Sequence, residues 1–171
     1  MSSTVLLLVE DSSFLENLSE SLKSLKASVV RAGSKHEALE VCSSHEFDLA
    51  LLDIRKQGND AMQVLARLKK KQPETEVILL SDQENIAFAM EGMRQGASDD
   101  IIVPFDIDSF IKTIKSALRR RKANLKASRK RTLLDVLENT MMAATFAEAG
   151  EFETAQKMYK GDMRKENIDG D

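Results

Sequence analysis

Five short apolar runs, at Val5–Val9, Val29–Val30, Leu49–Leu52, Val77–Leu80 and Ile101–Val103, recur roughly every 25 residues, and no other feature of the chain constrains its fold so tightly. Each is short for a buried helix and suits a strand that is covered on both faces. Between them apolar residues return at helical spacing: Phe14, Leu15, Leu18, Leu22 and Leu25; Met62, Leu65 and Leu68; Ile86, Met90 and Met93; Ile107, Phe110, Ile111, Ile114 and Leu118. Strand and helix therefore alternate. With right-handed crossovers, this pattern predicts an α/β fold, a doubly wound five-stranded parallel sheet with helices on both faces. Ligands of such sheets bind beyond the carboxyl ends of the strands, where strand order reverses.

Those ends carry the chemistry. The first strand leads into Glu10 and Asp11, the third ends at Asp53, the fourth at Ser81 and the fifth at Val103-Pro104. Carboxylates that converge repel unless a proton or a cation is shared, and an all-oxygen set suits a hard divalent ion such as Mg2+. The plainer alternative is that Glu10 and Asp11 cap the next helix while Asp53 opens a loop.

Over residues 4 to about 120 the chain resembles the receiver domain of bacterial two-component response regulators, an atypical one. The resemblance rests on Leu8-Val9-Glu10-Asp11-Ser12, Asp48-Leu49-Ala50-Leu51-Leu52-Asp53, Val77-Ile78-Leu79-Leu80-Ser81, and Gly96-Ala97-Ser98-Asp99 leading to Pro104-Phe105-Asp106. It implies a flavodoxin-like receiver with Asp53 as phosphoacceptor from a histidine kinase or phosphotransfer protein. It further implies Mg2+ held by Glu10, Asp11, Asp53 and the backbone carbonyl of Arg55, Ser81 as the switch hydroxyl, and a cis bond before Pro104. A metal is needed there because a carboxylate attacks a charged phosphoryl group poorly unless the incoming charge is screened.

Several positions depart from the family's pattern. Glu10 replaces the more usual aspartate. Val103 stands where the family has a lysine, whose charge at about 4 Å and an effective dielectric near 20 contributes on the order of 4 kcal/mol. Asp100 aligns with the aromatic switch residue, and an aspartate fills an apolar slot only against a desolvation penalty. Arg55 and Lys56, just beyond Asp53, could reach over the pocket. The loop after Asp53 lacks the family's proline, and Asp82 adds a negative charge beside Ser81. Two readings therefore stay open: a receiver phosphorylated on Asp53, and a pseudo-receiver that signals by binding alone.

Composition narrows the rest. With 171 residues, 42% of them hydrophobic, there is material for one full domain and an extension. No apolar run reaches the roughly 18 residues of a membrane span, and Val5–Val9 lacks a signal peptide's flanks, so a cytoplasmic protein is expected. The single cysteine, Cys42, excludes an intramolecular disulfide and reads as a packed helix thiol; His36 and His45 read as surface residues. No dehalogenase-type second aspartate follows Asp53 and no glycine-rich nucleotide loop follows the first strand, so an enzyme is not expected.

The predicted organisation is a receiver over 1–120, a basic helical linker over 121–131, a helical hairpin over 132–166 and a disordered tail over 167–171. Residues 119–131 hold eight Lys or Arg and no acid, within a chain of net charge −3. That stretch makes a DNA-binding transcriptional regulator the alternative function. It has no interleaved aromatics, and too little chain follows for a winged helix-turn-helix, so a solvated linker or an acidic-partner contact is preferred. Phe146 to Tyr159 is similar to the inner turn of a tetratricopeptide repeat, yet covers less than one repeat. Output is expected through protein contact, either by the C-terminal helices or by the fourth and fifth units, with a homodimer among the forms such contact allows.

Overall fold

The computed structural model describes residues 2–56 and 58–148, with side chains to residue 145. Strands β1 (Thr4–Leu8), β2 (Ser28–Ala32), β3 (Leu49–Asp53), β4 (Glu76–Ser81) and β5 (Asp99–Ile102) form one parallel sheet in the order β2-β1-β3-β4-β5. Helices α1 (Ser12–Lys23), α2 (Lys35–Ser44), α3 (Gly58–Lys71), α4 (Ile86–Arg94) and α5 (Ile107–Glu148) complete it. Strand order reverses between β1 and β3, so the crevice expected to hold the site lies between Glu10-Asp11 and Asp53.

The central strands β1, β3 and β4 are apolar on both faces because each face has its own helices. Leu6, Leu8, Ala50, Leu52, Val77 and Leu79 point into one layer with Phe47, Leu65 and Leu68. Val5, Leu7, Leu49, Leu51, Ile78 and Leu80 point into the other with Leu18, Leu22, Phe110 and Ile114. This is the two-residue period of a strand written twice. Register is fixed by it, pairing Val5 with Val29 on one side and with Leu49 on the other. A one-residue slip would exchange the two layers. Cys42 lies in the first layer at 1% exposure, and burial pushes its thiol up to about 11.

Helix starts follow short polar side chains. Asp11 accepts from the Phe14 amide at 2.9 Å and Ser34 from that of Glu37 at 3.3 Å, each at the head of a helix. Gly96, at φ 102°, makes the left-handed turn from α4 towards β5 that other residues adopt only under strain. At Gly92 a Cβ would run into Leu79, so the glycine lets α4 lie close on β4.

β5 differs from the expected strand. It begins at Asp99 and ends at Ile102, which places Asp100 inside the sheet and Val103 just outside it. The Val103–Pro104 peptide is cis.

α5 also differs, running unbroken from Ile107 to Glu148 without an end near residue 131. No glycine or proline interrupts it. The chain divides into two compact units, Met1–Asn124 and Leu125–Asp171. In the second, Leu133, Leu134, Val136, Leu137, Met141 and Met142 are exposed. The second helix of the expected hairpin and the expected frayed tail lie outside the described residues. Among those described, no helix is long and apolar enough to cross a membrane.

Two of the eight basic residues in 119–131 are turned inward, which the uniform charge of that stretch conceals. Arg120 pairs through Nε with Glu76 Oε2 at 3.1 Å and lies 3.9 Å from Asp99 Oδ2. Arg121, 8% exposed, places Nε 3.7 Å from Asp48 Oδ1. Asp48, Glu76 and Asp99 stand at the amino-terminal edge of the sheet, opposite the crevice, so these pairs fasten α5 to the receiver.

Candidate functional site

Asp53 is the last residue of β3, opposite Leu80 of β4, and just beyond it the Ile54 amide donates to the Leu80 carbonyl at 3.0 Å. Its carboxylate is not open. Arg55 donates from Nε to Oδ1 at 2.9 Å and from Nη2 to Oδ2 at 2.8 Å, and its own amide adds a bond to Oδ1 at 3.1 Å. The two side chains are 23% and 9% exposed, so this is a sheltered, bidentate, charge-assisted pair. Asp53 holds the guanidinium's affinity for its proton above the usual arginine value, chiefly through the hydrogen bond.

Arg55 is fixed from several sides. Its guanidinium carbon lies 4.4 Å from the centre of the Phe14 ring, a cation–π contact at the start of α1. Phe14 in turn meets Phe105 at 6.2 Å, and Phe105 stacks on Phe110 of α5 at 4.9 Å. Asn85 Nδ2 donates to the Arg55 carbonyl at 3.2 Å and to Asp82 Oδ1 at 2.7 Å. The loop after β3 is thereby tied to the one after β4.

Val103 stands clear of the carboxylate's chemistry. Its amide donates to the Ser81 carbonyl at 2.8 Å and its side chain packs on the second core layer. The positive charge that the family's lysine would supply at Asp53 is supplied here by Arg55.

Ser81, 1% exposed, donates its hydroxyl to Asp100 Oδ2 at 2.9 Å. Burial pushes the Asp100 carboxyl above its ordinary value, with the Ser81 bond opposing and Asp99 reinforcing the rise. Asp100 Oδ1 is buried without a hydrogen-bond partner. The expectation that an aspartate in this place meets a desolvation penalty has a concrete form, and among the described residues the Ser81 hydroxyl is the one side-chain group that hydrogen-bonds it.

The residues expected to hold Mg2+ are arranged otherwise. Asp11 accepts from the Phe14 amide, and that bond is the main reason its carboxyl is held below the ordinary value, with Lys56 and Arg55 adding to the effect. Glu10 is exposed. Both Asp53 oxygens face Arg55, whose carbonyl already accepts from Asn85. Among the described residues no three His, Cys, Asp or Glu side chains are grouped to hold a metal. The arrangement does not fit a divalent ion: the expected donor set of Glu10, Asp11, Asp53 and the Arg55 carbonyl is divided among a helix cap, an ion pair and a loop tie.

Sequence reasoning placed Glu10, Asp11, Asp53 and Ser81 at one rim; Asp53 and Ser81 are the last residues of β3 and β4, Glu10 and Asp11 follow β1, and Asp100 lies within β5, joined to Ser81 by a hydrogen bond. The same reasoning gave Arg55 a backbone role at the metal and raised Arg55 and Lys56 together as side chains able to reach over the pocket, without singling out the bidentate pair of Arg55 with Asp53. The signal was an arginine two residues beyond a strand-end aspartate, with an aromatic residue three positions into the helix across the crevice.

Residues 5–115 match the model of the response regulator receiver domain. The chain is 32% identical over 114 residues to the regulatory protein LuxO of Vibrio cholerae, covering 66% of this chain and 25% of LuxO. It is 34% identical over 116 residues to the transcriptional regulatory protein GlrR of Escherichia coli, covering 68% of this chain and 26% of GlrR. It thus spans about a quarter of these relatives. The receiver domain of NtrX from Brucella abortus superposes with a TM-score of 0.63 at 28% identity, over 67% of this chain and 98% of that domain. Receivers of this kind typically bind Mg2+ and exchange phosphoryl groups with histidine kinases or phosphotransfer proteins. The matched span covers all five strands and the Asp53 rim, and the chain belongs to the response regulator receiver domain family.

Proposed function

We propose that this receiver works as a pseudo-receiver: it signals by protein contact, with Asp53 held in an internal ion pair instead of carrying a phosphoryl group. The observation that carries this reading is the Arg55 fork on both Asp53 oxygens. A nucleophile must present a lone pair to phosphorus, and here both oxygens are engaged by a cation that needs no metal to stay in place. The Ser81–Asp100 bond supports the same reading, because the hydroxyl that would follow a phosphoryl group is already engaged. Each pair satisfies its own charge or hydroxyl locally, which stabilises one conformation of the rim.

Output by protein contact is supported by the surface of the fourth and fifth units. Ile86, Met90 and Met93 form an exposed stripe on α4, and Ile102 and Ile107 are exposed beside the end of β5. Apolar side chains of this size left in water favour association with a partner. A DNA-binding role for 119–131 has less support, since Arg120 and Arg121 are paired internally. The site of action proposed is the cytoplasm, with a kinase or phosphotransfer protein as the class of partner.

The test is intact mass spectrometry of the full chain after incubation with acetyl phosphate and Mg2+. The expected result is no phosphoryl adduct beyond that of Asp53→Asn. An adduct formed by the wild-type chain and lost in Asp53→Asn would overturn the reading.

A further inference from the structure

At the opposite edge of the sheet from Asp53, where β1 and β2 begin, a cavity of about 680 Å³ opens between the turn after α1 and one face of α5. Four cationic side chains line it, Lys26, Lys115, Arg119 and Lys122, and no acidic one does. Three of them follow each other on α5 at helical spacing and share one face. The fourth is set by the backbone: Lys26 has φ 54°, a left-handed conformation unfavourable for a residue with a side chain. Its turn is closed by its amide on the Lys23 carbonyl at 3.0 Å, and its own carbonyl accepts from Ser2 Oγ at 2.6 Å.

Among the described residues none of the four cations lies within ion-pair distance of a carboxylate, whereas Arg120 and Arg121, interleaved with them, do. One turn of α5 therefore sorts its basic residues into two sets. One set fastens the helix to Asp48, Glu76 and Asp99; the other converges on an open cavity. Like charges brought together without counter-charge raise the local positive potential and favour an anion between them. Leu25 and Leu118 supply an apolar wall, and Ser3 adds a hydroxyl. A cavity of this volume falls within the roughly 300–1,000 Å³ common for small-ligand sites.

We propose that this cavity binds a small phosphate-bearing anion of nucleotide size, its phosphates on Lys26, Lys115, Arg119 and Lys122 and its less polar part against Leu25 and Leu118. Arginine and lysine together suit that chemistry, the first as a planar fork and the second as a mobile point charge. The site is independent of Asp53: its residues share none with the Arg55 pocket and lie at the other end of the strands.

Isothermal titration of the full chain with ATP, and separately with inorganic triphosphate, tests it. ATP is expected to bind with one site per chain, more tightly than triphosphate because the wall adds to the phosphate contacts, and more weakly as salt rises. Arg119→Ala with Lys122→Ala should reduce ATP affinity at least tenfold. Lys126→Ala with Lys130→Ala removes the same charge from α5 outside the cavity and should change it less than twofold. Equal losses in the two double variants, or no binding of either anion, would overturn the proposal. So would tight binding of duplex DNA without measurable binding of ATP, which would assign the basic face to nucleic acid. Circular dichroism of both variants separates loss of the site from loss of the fold.

Discussion

Arg55→Ala is expected to raise the affinity of the full chain for Mg2+ at least tenfold over wild type. In the wild-type chain a divalent ion must displace two charge-assisted hydrogen bonds from Asp53, at 2.9 and 2.8 Å, in a pocket where the carboxylate is 9% exposed. Hydrogen bonds to charged groups contribute roughly 1.5–3 kcal/mol each. Even one such contribution is about tenfold or more in an equilibrium constant. Removing the guanidinium leaves a sheltered, uncompensated carboxylate across the crevice from Asp11 and Glu10, and a hard cation is the natural substitute. Arg55→Lys should fall between, since an ammonium keeps the charge and loses the planar fork. Titration of Mg2+ into the three proteins, followed by calorimetry or by amide shifts of β1 and β3, measures the series. Equal affinities would show that the fork does not compete with metal.

Phe110→Ala is expected to destabilise the receiver by about 3–5 kcal/mol, the range for a large aromatic removed from a packed interior. Phe110 is 1% exposed and stacks on Phe105 at 4.9 Å. It holds α5 against Leu80, Ile101 and Leu18 in the second core layer, and through Phe105 and Phe14 it supports the ring beneath Arg55. Chemical denaturation should show a lowered midpoint with an unchanged slope. Leu133→Ala, at a position 65% exposed, is the control and should stay within about 0.5 kcal/mol of wild type. A small effect at Phe110 would mean that α5 is held chiefly by Arg120 and Arg121.

The sheet was legible because its information is local and redundant. Val5 to Leu8 and Leu49 to Leu52 are apolar at every position, which only a strand with helices on both faces explains, and the spacing left room for one helix between each pair. Asp53 and Ser81 were legible for the same reason, since strand ends define the rim. Arg55 was harder. Its role depends on a side-chain direction set by Phe14, 41 positions away in the chain, and by Asn85 on a third loop, which no local pattern encodes.

Asp100 shows a different limit. Read as the residue before a strand at Ile101–Val103, in the place of an aromatic switch, it is a charged residue in an unsuitable place; within β5, it is a partner for Ser81. The shift of two residues in the strand's start changed its meaning, and strand ends are the part of an element that apolar patterning defines least. The basic stretch shows a further limit. Eight like charges within 119–131 and no acid read as one solvated stretch, with DNA binding as the alternative, whereas helical geometry sends Arg120 and Arg121 to one side and Arg119 and Lys122 to another.

The central claim is that Arg55 holds Asp53, and the Arg55 Nε–H resonance reads it directly. In nitrogen-15 correlation spectra near neutral pH, the wild-type chain should show this resonance displaced from the bulk arginine position and slow to exchange with water. Asp53→Asn should return it to the bulk position with fast exchange. An Arg55 resonance at the bulk position in both proteins would contradict the ion pair and, with it, the pseudo-receiver account.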